Sequence, residues 1–586
     1  MLQWLYMSYK IPNSELVQIL KEAIAAMEVK DADRFRLRAY ENAVSAIETS
    51  TYSVYDLWEK GRLQEIPGVG SSLSQHISDL FENGTVREFE ILKKGLPQGM
   101  FSLIGIQGIG AKKAFKLAQA FNLHNRDSAP TDVARLAKQG KIRDLPGFGE
   151  KSEQQILQAI EELKMTKNEK PRLLWSQGDE VVQRIYKYMQ KNKDVLEIEA
   201  LGSYRRKEET IGDLDIAVST KKESAVITYF LGFPEISEIL VQGDKKVSVL
   251  LANDLQVDLR TVSPEQFGSM VQYFTGSKYH NIALRTYAID KGFSVSEYGI
   301  KKEDTLHEFA TEEEFYDFLD LQYIPPELRQ GKDEVELSAK NQIPDLIKVS
   351  DIKGDIHTHT NFSDGENTLE EMVKNAVGRG YEYYGVADHA PSISSRGYKE
   401  VESIIQTSKE KVAQLNKKFP KIRVLLGYEV NILADATLSL PEELLEKLDF
   451  VIAAIHTAHN QSREQLMKRY IYALNHPLVN IIAHPSERLL NERPQMDLDW
   501  MLFLETAQKT GKVIEINSQP QRLDLPYDMV REAKNMGVKL IINSDAHSID
   551  SLDYIKYGVN VARRGWCTRK DVINTLPIED FLVVLK

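Results

Sequence analysis

Eight of the twelve histidines fall after residue 350, and what surrounds them restricts how the last third of the chain can fold. With neighbouring acidic residues, most of them form seven short clusters: Asp355-Ile356-His357-Thr358-His359, Phe362-Ser363-Asp364-Gly365, Ala387-Asp388-His389, Gly427-Tyr428-Glu429, Ala454-Ile455-His456, Ala483-His484-Pro485 and Ser544-Asp545-Ala546-His547. Each cluster follows a short apolar run, and runs at 450–455, 479–483, 513–516 and 540–542 alternate with helical stretches. That alternation predicts a βα barrel or layered α/β domain whose polar groups project from C-terminal strand ends toward one rim. A lone histidine is usually structural, and His476 is assigned so. Nine of the imidazoles and carboxylates in these clusters, leaving aside Asp355 and Asp388, suit Zn²⁺, Mn²⁺ or Fe, and suffice for three ions with positions open for water and substrate.

The other two thirds have a different texture. Residues 13–165 read as helical with short Gly-rich turns, and Leu16, Ile19, Leu20, Ala23 and Met27 recur at the spacing of one helix face. Strand character begins near Val195, with period-2 alternation through 216–219, 246–251 and 255–259. Residues 300–350 are acidic, contain Pro325-Pro326 and Pro344, and read as a linker behind a small α/β unit. A chain of 586 residues needs more than one core. No run of about 18 apolar residues occurs, so no membrane span is expected. Met1 to Lys10 lack the order of a signal peptide. Met7 is a second candidate start, with Met1 to Tyr6 a short unstructured extension. The single cysteine, Cys567, excludes an intramolecular disulfide and fits a reducing cytoplasm.

A net charge of −12 argues against a nucleic-acid partner until it is divided along the chain. Residues 1–300 hold 39 basic against 40 acidic side chains, residues 301–350 hold 6 against 13, and residues 351–586 hold 29 against 33. Within the first part, residues 101–150 carry 8 basic against 4 acidic. The acidity sits in the connector and the metal-ligand region, so contact with phosphates must come from local clamps. Three segments have that form: Ile66-Pro67-Gly68-Val69-Gly70, Ile106-Gln107-Gly108-Ile109-Gly110 and Leu145-Pro146-Gly147-Phe148-Gly149. The glycines allow a tight turn with positive φ and close approach of a phosphate, and the helix that follows offers unpaired N–H groups. One copy could be a plain helix cap; three within about 85 residues favour the sequence-independent DNA clamp known as the helix-hairpin-helix. Lys112, Lys113 and Lys151 follow the second and third copies and could add phosphate contacts.

A further constellation lies between residues 200 and 260: Gly202-Ser203-Tyr204-Arg205-Arg206, Gly212-Asp213-Leu214-Asp215 and Val257-Asp258-Leu259. Asp213 and Asp215, two apart on a strand, point to one face, and Asp258 sits on a second strand that could pair alongside. Three convergent carboxylates can hold two Mg²⁺ or Mn²⁺ ions about 3.5–4 Å apart. Gly202, Ser203 and Arg206 would supply donors for phosphates.

Gly202–Asp215 resembles the nucleotidyltransferase signature of X-family DNA polymerases, and Tyr273-Phe274-Thr275-Gly276-Ser277 is similar to the segment that opens their thumb. The resemblance spans roughly residues 10–325. It implies catalytic Asp213, Asp215 and Asp258, and a nucleotide site that includes Gly202, Ser203, Arg206, Gly212, Tyr273, Phe274, Gly276, Asn281 and Arg285. Tyr273 and Phe274 would flank the sugar, and Asn281 and Arg285 would reach the minor-groove edge. It also implies dNTPs and gapped or primer-template DNA as substrates. Members with deoxyribose-phosphate lyase activity carry a Schiff-base lysine six residues after the second glycine of the first hairpin. Here that position is His76, which cannot form the imine, so this lyase route is not expected.

The C-terminal clusters resemble the PHP domain, a distorted seven-stranded βα barrel with a trinuclear metal centre. Carried over by position, His357, His359, Glu429 and Asp545 would bind one metal. Glu429 would bridge to a second held by His456 and His484, and Asp364, His389 and His547 would hold a third. Asp388, His459 and Asn517 would support these ligands, and Arg522 could bind a substrate phosphate. Zn²⁺ and/or Mn²⁺, up to three ions, would activate water for attack on phosphorus, as in a 3′→5′ exonuclease or 3′-end phosphoesterase. The expected fold is multidomain: an α-helical helix-hairpin-helix N-terminal region, an α+β polymerase-beta-like palm and thumb, and a C-terminal α/β distorted (βα)7 PHP barrel. The expected boundaries are a lyase-like subdomain at 1–95, fingers at 96–168, palm at 169–265, thumb at 266–325, linker at 326–350 and PHP at 351–586. A cytoplasmic monomer acting in base-excision repair is the leading expectation. A polymerase whose PHP domain only docks or folds is the alternative. A small-molecule phosphatase of the histidinol-phosphatase kind is disfavoured by the hairpins and the polymerase signature.

Overall fold

The computed structural model describes residue 11 and residues 13–48, 54–66, 68–104, 106, 109–126, 128–166 and 172–585. The candidate start at Met7 and the proposed extension before it lie outside the described residues. The chain divides into two compact units, Met1–Lys170 and Pro171–Lys586.

The first unit is helical, with no strand among its described residues. Its first helix, Asn13–Val29, buries Leu16, Leu20, Ala23 and Met27, which are fully covered, while Ile19 is half-buried. The face read from the sequence is therefore the core face, and Val17, Ala25 and Ala26 widen it into the broad stripe of a helix packed on several neighbours. Helices Ser71–Asn83, Ala111–Ala120 and Glu150–Thr166 each begin directly after the second glycine of a repeated segment.

The second unit opens with a five-stranded sheet: β1 Glu197–Ala200, β2 Asp213–Ser219, β3 Ile236–Gln242, β4 Lys246–Leu251 and β5 Gln256–Val262. Its order is β1-β2-β5-β4-β3, with β2 and β5 parallel and the other pairs antiparallel. Alternate residues Leu214, Ile216 and Val218, with Val257 and Leu259, turn inward against helices Trp175–Met189 and Glu223–Phe230. The opposite face of the leading strand ends is thus left for Asp213, Asp215 and Asp258. Helices Phe267–Thr275 and Lys278–Asp290, a three-stranded meander over 293–307 and helix Glu312–Phe318 complete this half.

Residues 326–350 are not an exposed linker. Leu328, Arg329, Glu334 and Ile347 are at most 1% exposed. Glu334 accepts from Gly331 N–H at 2.7 Å and pairs with buried His280 at 2.8 Å. Asp333 pairs with Arg531, Glu327 with Arg563, and Ile347 N–H donates to the Cys567 carbonyl at 3.0 Å. The segment is a strap tying helix Lys278–Asp290 to the C-terminal half. Glu327, Asp333 and Glu334 are engaged in these pairs, whereas Glu336 and Asp345 stay exposed. Buried Glu312, joined to both Arg205 and Arg329 at 2.6 Å, secures the same junction.

The C-terminal half is a seven-stranded parallel sheet in sequential order: β6 Gly354–Asp355, β7 Tyr383–Val386, β8 Arg423–Asn431, β9 Phe450–Ala454, β10 Ile481–Ile482, β11 Val513–Asn517 and β12 Lys539–Asn543. Its ends are drawn together by a parallel bridge between Thr358 and Ala546, with His359 N–H donating to the Ala546 carbonyl at 2.7 Å, so the barrel is nearly closed. Strands covered on both faces explain why these segments read as continuous apolar runs. Phe450 fills the interior because Gly385 and Gly427 carry no side chain; a Cβ on Gly427 would lie 2.4 Å from its ring. An alanine there would force the ring or the strand to move, an overpacking cost of about 1–3 kcal/mol. Helix Ile578–Leu585 packs Phe581 on Tyr383 at 4.4 Å between ring centres and closes the core among Leu425, Ile481 and Val513. The open ends of the strands are left to the polar clusters. No helix among the described residues is long and apolar enough to cross a membrane.

Candidate active sites

In the first unit the three repeated segments share one turn. The carbonyls of Ile66, Ile106 and Leu145 accept from the N–H of Val69, Ile109 and Phe148 at 3.0, 2.9 and 3.0 Å. Gly68 and Gly147 have φ of +84° and +88°, where any Cβ would be strained; Gly108 lies outside the described residues. The second glycines differ from the expectation of positive φ. Gly70 and Gly110 have φ of −81° and −82°, and what their lack of side chain provides is open space, since a Cβ at Gly70, Gly110 or Gly149 meets nothing within 4 Å. No side chain caps the helices that follow Gly70 and Gly110, so their first N–H groups remain for an external acceptor. Lys112 is paired with Asp31 at 2.6 Å, and Lys113 lies 5.8 Å from the centre of the Phe148 ring. The side chain of Lys151 lies outside the described residues. His76 is buried, with Nδ1 2.6 Å from the Tyr40 hydroxyl and Nε2 2.9 Å from Glu88. Both nitrogens are engaged, as in a structural histidine.

In the palm sheet, Asp215 on β2 pairs directly with Asp258 on parallel β5, and Asp213 lies two residues earlier on the same face. The three carboxylates therefore converge at one sheet end. Burial first, then the neighbouring Asp213 carboxylate, pushes Asp215 up to about 6. Burial acts the same way on Asp258, but hydrogen bonds from Gln256 and Lys246 outweigh it and hold that carboxyl below its usual range. Lys246 Nζ is 2.9 Å from Asp258, and Arg260 lies 3.6 Å from Asp215 and 3.5 Å from Asp258. A carboxylate group answered by lysine and arginine side chains is one whose countercharges a divalent ion could replace.

Gly202 starts the short helix Gly202–Arg205 with φ of +59°, and a Cβ there would come 3.2 Å from Asp215. Arg206 packs beneath helix Phe267–Thr275, donating to the Thr275 carbonyl and standing 3.2 Å from where a Gly276 Cβ would lie. Ser203 is the second residue of that helix, and Gly212 directly precedes β2. Tyr273 and Phe274 stack edge to face at 5.1 Å. Asn281 donates to the Tyr273 carbonyl and Arg285 to the Tyr273 hydroxyl, both at 2.8 Å. Contacts thus link Gly202 to Asp215, Arg206 to Thr275 and Gly276, and Asn281 and Arg285 to Tyr273.

At the barrel rim, Glu429 is the hub. Its Oε1 lies 2.9 Å from His456 Nε2 and 2.8 Å from His484 Nε2. Its Oε2 lies 3.0 Å from His389 Nδ1, 3.5 Å from His357 Nε2 and 3.7 Å from His359 Nε2. The two oxygens face separate histidine sets, the geometry a bridging carboxylate needs. Ligand atoms fall into four sets, each within 4.8 Å: His359, Asp364, His389 and His547; His357, His359 and Glu429; His357, His484 and Asp545; and His389, Glu429 and His456. The grouping expected from the sequence is thereby broadened, because His359 also faces Asp364, His389 also faces Glu429, and His484 also faces Asp545. His476 stands apart, 3.5 Å from Glu442.

The residues fit metal ions. His357 Nε2 and both ring nitrogens of His359 are buried without any hydrogen bond. Carboxylate oxygens stand beside them, Asp545 at 3.1 Å from His359 Nε2 and Glu429 at 3.5 Å from His357 Nε2, and a cation or a proton between each pair would offset the cost of about 1–3 kcal/mol for an unpaired group. The cleft above them, about 330 Å³, is also lined by Gln519, Gln521 and Arg522.

Two carboxylates that sequence reasoning did not single out orient these histidines. Glu515 accepts from His357 Nδ1 at 2.7 Å, and Glu487 bonds His484 Nδ1 while lying 3.4 Å from His459. Burial opposes protonation of His484, but Glu487 dominates and pushes it up to about 10. Each such carboxylate leaves the opposite nitrogen directed at the cleft, the usual support of a metal-binding imidazole. The available signals were Glu515 inside the apolar run Val513-Ile514-Glu515-Ile516, and Glu487 three residues after His484. Asn517 donates to Asp545 at 3.0 Å and to Glu515 at 3.1 Å. Asp388 instead holds the loop carrying Asp364, accepting from Thr360 N–H, Thr360 Oγ1 and Ser363 Oγ at 2.7 Å.

Known families account for this arrangement piece by piece. Residues 11–86 match a helix-hairpin-helix domain and 101–162 a SAM-like helix-hairpin-helix tandem. Residues 171–287 match the DNA polymerase beta palm, 270–330 its thumb and 355–519 the PHP domain. A probable phosphatase of Thermoanaerobacter sp. strain X514 is 30% identical over 233 residues, 38% of this chain and 89% of its own length. A probable phosphatase of Acetivibrio thermocellus is 31% identical over 202 residues, 33% of this chain and 78% of its own length. The DNA polymerase/3′-5′ exonuclease PolX of Bacillus subtilis strain 168 is 34% identical over 578 residues, covering 98% of this chain and 99% of that protein. With palm, thumb, hairpins and PHP barrel in one chain aligned end to end, the chain belongs to the PolX family of bacterial DNA polymerase/3′-5′ exonucleases.

Proposed function

We propose that the chain fills short gaps in DNA during base-excision repair and trims 3′ ends at its PHP barrel, using two independent metal sites. Asp213, Asp215 and Asp258 would hold two Mg²⁺ or Mn²⁺ ions. Gly202, Ser203, Arg206, Gly212 and Gly276 would seat the triphosphate, and Tyr273 and Phe274 the sugar. Asn281 and Arg285 would leave Tyr273 to reach the minor-groove edge of the new pair. The glycine turns of the first unit would grip backbone phosphates on the gapped substrate, with Lys112, Lys113 and Lys151 adding charge. The protein would act as a cytoplasmic monomer.

At the barrel, His357, His359, Asp364, His389, Glu429, His456, His484, Asp545 and His547 would hold up to three Zn²⁺ and/or Mn²⁺ ions. Bound ions there would supply Lewis acidity for water and charge neutralisation at phosphorus. Glu515 and Glu487 fix the imidazoles, and Arg522, held by Glu487 at 3.2 Å, faces the cleft where a substrate phosphate would enter. The observation that carries an active barrel over a docking module is the convergent ligand set, in which His357, His359, Glu429, His484 and Asp545 are buried and nitrogens on His357 and His359 are unbonded.

The test uses labelled recessed and gapped primer-templates with Mg²⁺ or Mn²⁺. Extension is expected with dNTPs, and stepwise shortening from the 3′ end without them. Extension without shortening in either metal would favour the docking reading.

A further inference from the structure

The palm half and the barrel meet through a charged contact whose chain of partners ends at the metal-site histidines. Glu209 lies in the loop between Arg206 and the start of β2. Its carboxylate accepts both arms of Arg488: Nη1 to Oε2 at 3.1 Å and Nη2 to Oε1 at 2.7 Å. Arg488, 9% exposed, also donates to the backbone carbonyls of Arg522, at 2.9 Å, and Leu523. The side chain of Arg522 reaches Glu487 at 3.2 Å, and Glu487 bonds His484 Nδ1. The other nitrogen of His484 faces Glu429 at 2.8 Å.

Two rim loops, one with His484, Glu487 and Arg488 and the other with Arg522 to Asp524, are thus held as one piece. Ser486 N–H adds a bond to Asp524 at 3.0 Å. Arg488 spans both loops, and the carboxylate that neutralises it comes from outside the barrel. Without Glu209, a nearly buried guanidinium would lose the one carboxylate that meets it with two direct hydrogen bonds. The other anions that interact with Arg488 are Asp524 and Asp528, and Asp524 already accepts from Ser486 N–H across the two loops. A pull on Asp524 would loosen the bond that joins the two loops, and with it the placement of Arg522 and Glu487 behind His484.

We infer that Glu209 is a positioning residue for the barrel's metal site, so that a side chain of the polymerase half completes the support of the phosphoesterase centre. This rests on the reading that the barrel centre is catalytic. A contact made from 279 residues away in the chain would make 3′-end removal dependent on a properly docked palm.

The test uses full-length Glu209→Gln, Arg488→Ala and the double variant. Binding of Mn²⁺ alone is followed by calorimetry, kcat and KM for 3′-end removal are measured, and primer extension serves as the check on folding. Glu209→Gln is expected to weaken Mn²⁺ binding and lower kcat about tenfold, with KM and primer extension within about twofold of wild type. Arg488→Ala should lose at least as much, and the double variant no more than Arg488→Ala, because both act along one path. Wild-type Mn²⁺ affinity and kcat in Glu209→Gln would overturn the inference, as would an equal loss of primer extension or losses that multiply in the double variant. If the wild-type chain itself bound no Mn²⁺ and removed no 3′ ends, the reading beneath the inference would fall first. That result is distinguishable because it involves no substitution.

Discussion

Asp213 is exposed, Asp215 and Asp258 are half-buried, and the countercharges of this group are Lys246 and Arg260 on neighbouring strand positions. In the barrel, His357, His359 and Glu429 are at most 2% exposed and face one another, with Glu515 and Glu487 fixed behind them. The palm carboxylates are balanced by the side chains of Lys246 and Arg260 and are open on one side. The barrel site is assembled by the fold itself, and only a cation or protons can satisfy its buried nitrogens. Substitutions in the palm should therefore strike chemistry and spare structure, whereas those in the barrel should strike metal affinity first.

The largest effect is expected in the palm. Asp258→Ala should lower nucleotide addition by about a thousandfold or more, since removing a ligand disrupts charge stabilisation in the transition state. DNA binding should stay within severalfold. Extension above a few per cent of wild type in a primer assay would break the comparison on that side. In the barrel, Glu515→Gln keeps shape but not charge, and should weaken Mn²⁺ binding by about 10–100-fold, read by calorimetry. Unchanged affinity would mean that Glu515 is packing and not support.

A smaller effect concerns the junction that holds the palm side to the strap. Burial alone would raise the Glu312 carboxyl, but Arg329 and Arg205 outweigh it and hold the group down at about 2. A depressed carboxyl contributes stability above its unfolded value near 4.5, and that contribution is lost as pH falls from there toward about 2. Glu312→Gln should thus cost about 3 kcal/mol at neutral pH and flatten the acid dependence over that window, measured by denaturant unfolding. An unaltered acid profile would remove Glu312 from the account. The smallest expected signal is none at all. With His76 locked between Tyr40 and Glu88, borohydride should trap no adduct on a 5′-deoxyribose-phosphate end. A covalent adduct mapped within residues 1–95 would show that a lysine elsewhere does the imine chemistry.

What the sequence made legible follows the same division. Asp213 and Asp215 announce themselves because a period of two fixes their face, and the rim histidines because each trails an apolar run. Glu515 and Glu487 did not, since a carboxylate beside a ligand differs from a surface one only by burial, which spacing does not encode. The strap failed for a related reason. Acidity and Pro325-Pro326 read as a linker, yet Glu327, Asp333 and Glu334 each have a specific partner more than 50 residues away. In the hairpins, composition identified the glycines but not their division of labour, in which Gly68 and Gly147 bend the chain while Gly70 and Gly110 leave room.

The central claim is that one chain holds two separable metal sites, and a crossed pair of variants on a single labelled primer-template tests it most directly. His359→Ala should cut 3′-end degradation by at least about a hundredfold, because the loss of a ligand should exceed the 10–100-fold typical of its supporting groups. Primer extension should persist in that variant. Asp213→Ala should do the reverse, ending extension while degradation continues at near wild-type rate. Loss of both reactions in either variant, with its folding and thermal transition unchanged, would contradict the account.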